Sequence, residues 1–225
     1  MTCKAVMGLL KNTAGFTVDG QILLNGSDIM HLPEKDIQRM RGRDMGFVMQ
    51  NPMTAFNPLI KVGSHVTEAF SAHTHMRGRK AYAAGVEMLK RMDLKRPEEL
   101  MNSYPFALSG GMLQRIMIGL AISLNPGLLI ADEPTTALDV KNQAMVLHEL
   151  EKIKRDYMPG ILLVTHDFGV IAQIADEVAV MRNGKIVEKG AVHKIFSAPE
   201  HPYTKELLGA RLLCERGQSC SRLVM

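Results

Sequence analysis

Residues 108–115 read Leu-Ser-Gly-Gly-Met-Leu-Gln-Arg, and residues 128–134 read Leu-Leu-Ile-Ala-Asp-Glu-Pro. The apolar run 128–131 predicts a buried strand that delivers Asp132 and Glu133 at its carboxyl end, where open parallel sheets place their ligands. Ser109 and its two glycines precede a helical segment, 112–124, so they predict a helix N-terminus whose N–H groups can receive an anion. An ordinary N-cap at Ser109 explains the same pattern.

Strands and helices alternate on the carboxyl side of this stretch. A second compact apolar run occupies 161–165, and the helical segment between the two runs carries Val146, Leu147, Leu150 and Ile153 on one face. This alternation is typical of a parallel sheet with crossover helices. Turn dipeptides inside alternating apolar segments predict antiparallel strands at 17–29 and a hairpin at 177–190.

The chain divides into four regions on these patterns. Residues 1–63 contain the first part of the core and the antiparallel β region, and 64–108 form an inserted helical lobe interrupted at Arg77-Gly78-Arg79 and Arg96-Pro97. Residues 109–190 continue the core, and 191–225 form a helical tail. The predicted fold class is therefore α/β, with a parallel sheet core, an antiparallel β portion and a helical lobe.

The composition favours an ordinary globular protein, with 46% hydrophobic and 22% charged residues in 225. No apolar run approaches the roughly 18 residues of a membrane span, and the N-terminus lacks the features of an export signal. We therefore expect a cytosolic protein that reaches a membrane only through a protein partner.

The net charge of +4 is spread along the chain, so nucleic acid is not an expected partner. The alternating arginines Arg39, Arg41 and Arg43 fit a solvated strand edge better than a nucleic-acid site.

Four polar residues at predicted strand ends suggest phosphate chemistry. Asp132 can hold Mg²⁺ through its water shell, and the adjacent Glu133 can polarise a water for attack on a terminal phosphate. Gln50 follows the apolar run 45–49 and can reach a metal or water, and His166 can hydrogen-bond a phosphate. Taken singly, each also fits an acidic turn, a surface residue or a structural histidine.

The ordered set is much more specific than its members. Gln50, Ser109-Gly110-Gly111, Asp132-Glu133, Asp139 and His166 resemble the Q-loop, signature, Walker B, D-loop and H-loop of the ATP-binding subunits of ABC transporters. Residues 50–59, 104–115 and 201–208 are similar to the peptide and nickel importer group of that family. Asn51, Phe56 and Pro105-Phe106 look closest to its nickel-import subunits.

The resemblance implies a P-loop NTPase-like fold and an ATPase that works as a pair of subunits with ATP and Mg²⁺. Glu133 and His166 would be catalytic, Asp132 and Gln50 would hold the metal, and Gln50 would also contact nucleotide. Ser109, Gly110, Gly111 and Asp139 would serve the nucleotide of a second ABC ATPase subunit. The helical lobe would dock on membrane permease subunits, which link it indirectly to a solute-binding protein, at the cytoplasmic face of the inner membrane.

One element of the family is absent from these 225 residues, the loop Gly-x-x-x-x-Gly-Lys-Ser/Thr. Met1-Thr2-Cys3 aligns with residues that follow this loop in the family, so the resemblance predicts an N-terminally truncated chain. Such a loop supplies N–H donors and a cation to the phosphates, and we expect these residues alone to hydrolyse ATP poorly.

Three other interpretations remain open. The first is a non-catalytic module that contributes only its signature residues, Ser109-Gly110-Gly111, to the site of a partner. The second concerns the cargo, which fits a peptide as well as nickel or a metal chelate. Soluble ABC ATPases of DNA repair or translation would lack the importer-type tail at 201–208. His73 and His75 fit a solvated loop better than a nickel site because the segment lacks further ligands nearby.

Overall fold

The computed structural model describes residues 1–11, 13–136, 138–157 and 160–215. These residues form two compact units, 1–166 and 167 onward, which are taken in turn. In the first unit the elements are α1 (Thr2–Val6), β1 (Leu23–Leu24), β2 (Ser27–Asp28), α2 (Glu34–Met40), β3 (Met45–Val48), α3 (Pro52–Ala55), α4 (Val62–His73), α5 (Arg79–Arg91), α6 (Pro97–Asn102), α7 (Gly110–Ile122), β4 (Leu128–Asp132), α8 (Val140–Tyr157) and β5 (Gly160–Val164).

A parallel sheet in the order β3-β4-β5 forms the centre of the first unit. Met45 pairs with Leu128, and Leu128 pairs with Gly160, so the three strands start and end together. The strands predicted at 128–131 and 161–165 are confirmed to within one residue at each end. Buried strands of this kind read as continuous apolar runs because helices cover both faces of the sheet.

Helices pack closely against this sheet. Cys3 and Met7 of the N-terminal segment join Met45 and Ile130 of the strands in one buried cluster. On β3, a Cβ built at Gly46 would clash with the carbonyl oxygen of Ala121 in α7, so only glycine permits this approach. The predicted apolar face of α8 is confirmed, because Val146, Leu147, Leu150 and Ile153 are all buried.

The helical lobe consists of α4, α5 and α6, and its helices break where the sequence predicts interruptions. Gly78 has φ 51° just before α5, and Arg96, in the left-handed region at φ 55°, precedes Pro97 at the start of α6. A Cβ at Gly85 would lie 2.5 Å from Val66 Cγ1, so glycine lets α5 approach α4.

Two expectations for residues 17–43 are corrected. Strand structure is limited to β1 and β2 around Asn25-Gly26, and residues 17–22 of the predicted strand region lie outside them. Arg41 does not lie on a solvated strand edge: it follows α2 and donates from Nε to Met7 O at 2.9 Å. The reason is that the last carbonyls of a helix lack partners within it, so a nearby guanidinium binds them.

The second unit contains α9 (Phe168–Ile174), β6 (Glu177–Arg182), β7 (Lys185–Ala191), α10 (Val192–Ser197) and α11 (Pro202–Glu215). The predicted hairpin is confirmed: β6 and β7 pair antiparallel, and Asn183 and Gly184 between them have φ values of 50° and 75°. Arg182 lies over the ring of Tyr203 at 4.5 Å. None of the described helices combines the length and apolar character that a bilayer span requires.

Candidate functional site

The parallel register places three of the predicted site positions at one edge of the sheet. Val48 pairs with Ala131, which in turn pairs with Leu163. Gln50 and Glu133 each lie two residues beyond their paired strand positions, and His166 lies three residues beyond Leu163. Three polar groups that are remote in sequence therefore leave the carboxyl end of adjacent strands, where open α/β sheets bind ligands.

The carboxylate of Glu133 is held on both of its oxygens. Oε1 accepts the backbone N–H of His166 at 3.2 Å and lies 2.8 Å from His166 Nδ1. Oε2 accepts the hydroxyl of Thr136 at 2.7 Å. The Glu133 side chain is 17% exposed and the His166 side chain is 78% exposed. The pair therefore offers a fixed, half-buried carboxylate beside an imidazole that is open to solvent.

The backbone of Glu133 is unusual for a residue with a side chain. Its φ of 49° lies in the left-handed region, and its N–H donates to Val164 O at 2.8 Å. A residue other than glycine pays about 1 kcal/mol or more for this conformation. The bond to β5 and the buried Pro134 that follows hold the residue there. Backbone strain of this kind is common at ligand sites, although other non-glycine residues of this chain, such as Arg96, adopt it at turns and helix ends.

Asp132 has a neighbour that sequence reasoning did not identify, the thiol of Cys3 in α1. Cys3 is 1% exposed, and burial raises its pKa to about 11, with the nearby Asp132 carboxylate and a hydrogen bond to it adding to the effect. At neutral pH the thiol is therefore protonated and can donate to Asp132. Asp132 itself is half-buried at the end of β4.

Gln50 is exposed, and the residue after it shapes the loop. Asn51 Oδ1 accepts the N–H of Met53 at 2.9 Å and caps α3, with Pro52 as the first helical residue.

Carboxylate and amide oxygens suit Mg²⁺, so Asp132 and Gln50 are chemically fit to hold it. The described residues contain no group of three or more His, Cys, Asp or Glu side chains around one point. An ion here would complete its coordination with water and phosphate, as Mg²⁺ usually does.

The predicted N-cap at Ser109 is confirmed, since Ser109 Oγ accepts the N–H of Met112 at 3.3 Å. The structure brings Ser109-Gly110-Gly111 against the segment that contains Asp139. A Cβ on Gly110 would lie 4.0 Å from Leu138 Cδ2, and the buried Gly111 lies under the side chain of Asn142. Asp139 is exposed and caps α8 by accepting the N–H of Asn142 at 2.8 Å.

A cavity of about 330 Å³ lies between the helical lobe and the sheet. Apolar residues of β3, α4 and α7 line most of it, and the imidazoles of His65 and His73 also border it. His73 is the last residue of α4, so the prediction of a loop at 72–76 is correct only after that residue. Met49 lines the cavity and precedes Gln50, which makes this surface continuous with the sheet edge.

Three residues of the site were missed in the sequence: Cys3, Thr136 and Asn142. Thr136 follows Glu133 by three residues, the spacing at which a turn brings a hydroxyl back to an earlier residue, so a weak signal existed. Cys3 gave no signal because its partner Asp132 lies in another element, and nothing in the sequence indicated the contact of Asn142 with Gly111 in α7.

Comparison with known proteins identifies the family. A family model described as ABC transporter matches residues 1–136. The oligopeptide transport ATP-binding protein OppD of Bacillus subtilis (strain 168) is 43% identical over 210 residues, which cover 93% of this chain and 59% of OppD. The metal-staphylopine import system ATP-binding protein CntD of Staphylococcus aureus (strain NCTC 8325 / PS 47) is 41% identical over 211 residues, covering 94% of this chain and 77% of CntD.

The fold also matches a solved structure. The ATP-binding cassette MJ0796, in a dimeric post-hydrolysis state with ADP and phosphate, aligns with a TM-score of 0.72 at 23% identity, over 85% of this chain and 79% of that one. The predicted α/β fold with a parallel core is thus confirmed as that of an ABC cassette. The chain spans 59% to 63% of the length of its oligopeptide and dipeptide transport relatives from Bacillus subtilis. With 60% of its residues inside the family model and sequence relatives along nearly all of it, the chain belongs to the ABC transporter family.

Proposed function

We propose that this chain is the ATP-hydrolysing motor subunit of an ABC importer whose cargo is nickel or a metal chelate. The observation that carries the hydrolytic role is the Glu133 carboxylate at the sheet edge, bound by His166 Nδ1 at 2.8 Å and by Thr136 Oγ1 at 2.7 Å, directly after Asp132. In-line attack of water on a terminal phosphate requires a carboxylate that is fixed before the water arrives.

The hydrogen bonds around Glu133 indicate which oxygen would bind that water. A carboxylate oxygen accepts about two hydrogen bonds. Oε1 already has two donors, the N–H and the Nδ1 of His166, whereas Oε2 has Thr136. Counting donors from the part of the chain that the structure describes, the open acceptor position is on Oε2, and a water bound there would be oriented and partly deprotonated by Glu133.

His166 would act at the phosphate itself. With its Nδ1 directed at Glu133, the ring presents Nε2 to the exposed side. In the imidazolium form the ring also carries a proton on Nε2, and this N–H can donate a hydrogen bond to a phosphate oxygen. His166 would thus both hold the carboxylate and contact the phosphate that leaves.

Asp132 and Gln50 would hold Mg²⁺, which neutralises charge on the phosphates when it is bound. Asp132 would act through its carboxylate, and the Cys3 thiol at its side would keep that carboxylate oriented. Gln50 would contribute its amide from the exposed loop that also borders the cavity.

A second ABC ATPase subunit would complete the site. Ser109, Gly110 and Gly111 begin α7, whose N–H groups and dipole attract a phosphate. Within the chain, Leu138 lies beside Gly110 and Asn142 beside Gly111. We propose that this surface and Asp139 face ATP held by the partner subunit. The arrangement makes hydrolysis dependent on the association of two subunits.

The cavity beside α4 would receive a segment of a membrane permease. Its lining is mostly apolar, which suits a packed helix rather than a charged solute. Docking there would place the chain at the cytoplasmic face of the inner membrane, with a solute-binding protein on the far side of the permease. Met49 borders the cavity and Gln50 follows it. A movement of this loop during ATP binding and hydrolysis would therefore be transmitted to the permease.

The cargo class has a second candidate. OppD is named for oligopeptide transport and CntD for import of a metal complex, so the relatives support both peptides and metal chelates. Uptake by membrane vesicles that contain the assembled importer separates them. Accumulation of labelled nickel or its chelate supports the proposal, whereas accumulation of labelled peptide alone overturns its cargo and leaves the motor role intact.

The motor role is tested with the protein expressed from its full reading frame. We expect Mg²⁺-dependent ATP turnover that Glu133→Gln lowers at least about a hundredfold while ATP binding persists. Glu98→Gln, at an exposed carboxylate of α6 outside the site, serves as the control. Turnover that Glu133→Gln leaves intact would contradict the assigned base. An absence of ATP binding would favour the non-catalytic module.

A further inference from the structure

Asn142 lies in the first turn of α8 and makes two hydrogen bonds to the same carboxylate. Its backbone N–H donates to Asp139 Oδ1 at 2.8 Å, and its side-chain Nδ2 donates to Asp139 Oδ2 at 2.8 Å. The first bond is the usual cap of a helix N-terminus. Capping does not require the second, which fixes the rotation of the Asn142 amide and of the Asp139 carboxylate together.

The other side of the same amide covers Gly111 at the start of α7. A Cβ built on Gly111 would lie 2.5 Å from Asn142 Oδ1 and 2.7 Å from Asn142 Cγ. Any side chain at this position would have to displace the amide. Because the amide is tied to Asp139, its displacement would break that bond as well.

We infer that Asn142 is a positioning residue that holds the glycine pair of α7 and the Asp139 carboxylate in one fixed arrangement within the chain. The inference rests on the proposed function in one respect: both groups are proposed to act on nucleotide held by the partner subunit. Leu138, which approaches Gly110, adds an apolar contact between the same two segments. With Asn142 in place, the two surfaces meet the partner as one unit.

A double-mutant cycle in urea unfolding tests the contact without nucleotide. Gly111→Ala is expected to lower the ratio of folded to unfolded protein about tenfold in the wild type, but less than about twofold when Asn142→Ala is also present. Gly110→Ala is the matched control, because its Cβ would meet only Leu138 at 4.0 Å, and its effect should be the same in both backgrounds. Equal effects of Gly111→Ala in the two backgrounds would overturn the contact.

The bond to Asp139 is tested by exchanging the two groups. Asn142→Asp opposes two carboxylates and is expected to lower the folded-to-unfolded ratio about tenfold at neutral pH. Adding Asp139→Asn restores an amide opposite a carboxylate and should restore the ratio. Loss of stability in the double variant equal to the sum of the two single losses would show that the pair does not interact.

The positioning role is tested by turnover. Asn142→Ala should lower kcat about tenfold or more, since a small displacement of a positioned group is enough for that loss. Lys141→Ala, an exposed neighbour in the same turn, should leave kcat unchanged. A kcat within twofold of wild type for Asn142→Ala would overturn the role. The unfolding experiments do not depend on ATP, so a failed motor hypothesis would be recognised separately by the Glu133→Gln test.

Discussion

The hydroxyl of Thr136 donates a 2.7 Å hydrogen bond to Oε2 of Glu133, the carboxylate oxygen that has the fewer donors among the described residues. We therefore expect Thr136→Val to lower kcat for ATP about tenfold, because the freed carboxylate samples orientations in which no water is aligned. Thr136→Ser keeps the hydroxyl and should retain most of the turnover. The measurement is steady-state hydrolysis together with ATP affinity, which should not change. Equal losses in the two variants would contradict this role of the hydroxyl.

The guanidinium of Arg41 stabilises the end of the N-terminal helical segment. It donates to Met7 O at 2.9 Å and to Gly8 O at 3.3 Å, and it pairs with Glu34 at 2.8 Å. Arg41→Met leaves these carbonyls without their donor, so we expect the free energy of unfolding in urea to fall by about 1–3 kcal/mol.

Arg39 supplies the control for this prediction. Its ion pair with Asp36 is long, at 3.5 Å, and both side chains are largely exposed. Exposed pairs of this kind contribute little, so Arg39→Met should change the free energy of unfolding by less than about 0.5 kcal/mol. Similar losses for Arg41→Met and Arg39→Met would show that the helix-end contacts do not stabilise the fold.

Gly42 leaves room for the imidazole of His73, at the end of α4, beside the start of β3. It has φ 83°, and a Cβ there would lie 2.8 Å from Nε2 of His73. Gly15 has nearly the same φ, 84°, with open space around it. Gly15→Ala should cost about 1 kcal/mol of unfolding free energy for its backbone alone, and Gly42→Ala about 1–2 kcal/mol more. His73→Ala should remove the excess at Gly42. Equal costs at the two glycines would contradict the close approach.

Glu149 gives the protein a dependence of stability on pH. It is 4% exposed, its Oε2 has no described hydrogen-bond partner, and burial raises its pKa. A carboxyl with a raised folded-state pKa is more readily protonated when folded, so its stabilising effect is complete below its ordinary pKa of 4.5 and is lost as pH rises through the folded pKa. Glu149→Gln should therefore stabilise the protein at pH 7 and have little effect near pH 4.

The comparison for Glu149 is Glu98→Gln, at an exposed carboxyl of α6. Its effect on thermal unfolding should be small at both pH values. A Glu149→Gln variant that is less stable than wild type at pH 7 would show that the buried carboxylate is stabilised there. Lys152, His148 and Arg115 are the groups whose charges oppose the raised pKa of Glu149, and in that case their combined effect would exceed the effect of burial.

Local sequence patterns predicted much of the fold. The sequence predicted the apolar runs that form β4 and β5, the buried face of α8, the Ser109 cap and the hairpin at 177–190. These features depend on near neighbours in the chain and on the backbone preferences of glycine and asparagine. The helix α2 and the shortness of β1 and β2 were not predicted, because that segment has weak periodicity and its structure depends on packing against α1.

The sequence by itself determined the family and the order of the polar residues that approach the sheet edge. Only the tertiary structure decided which atoms meet: His166 reaches Glu133 across 33 residues of chain, and Arg41 reaches Met7 across 34. Such contacts are set by the register of parallel strands and by the packing of helices against them, which no local pattern encodes. For the same reason, Asn142 became visible as the link between Gly111 and Asp139 only after α7 and α8 were seen side by side.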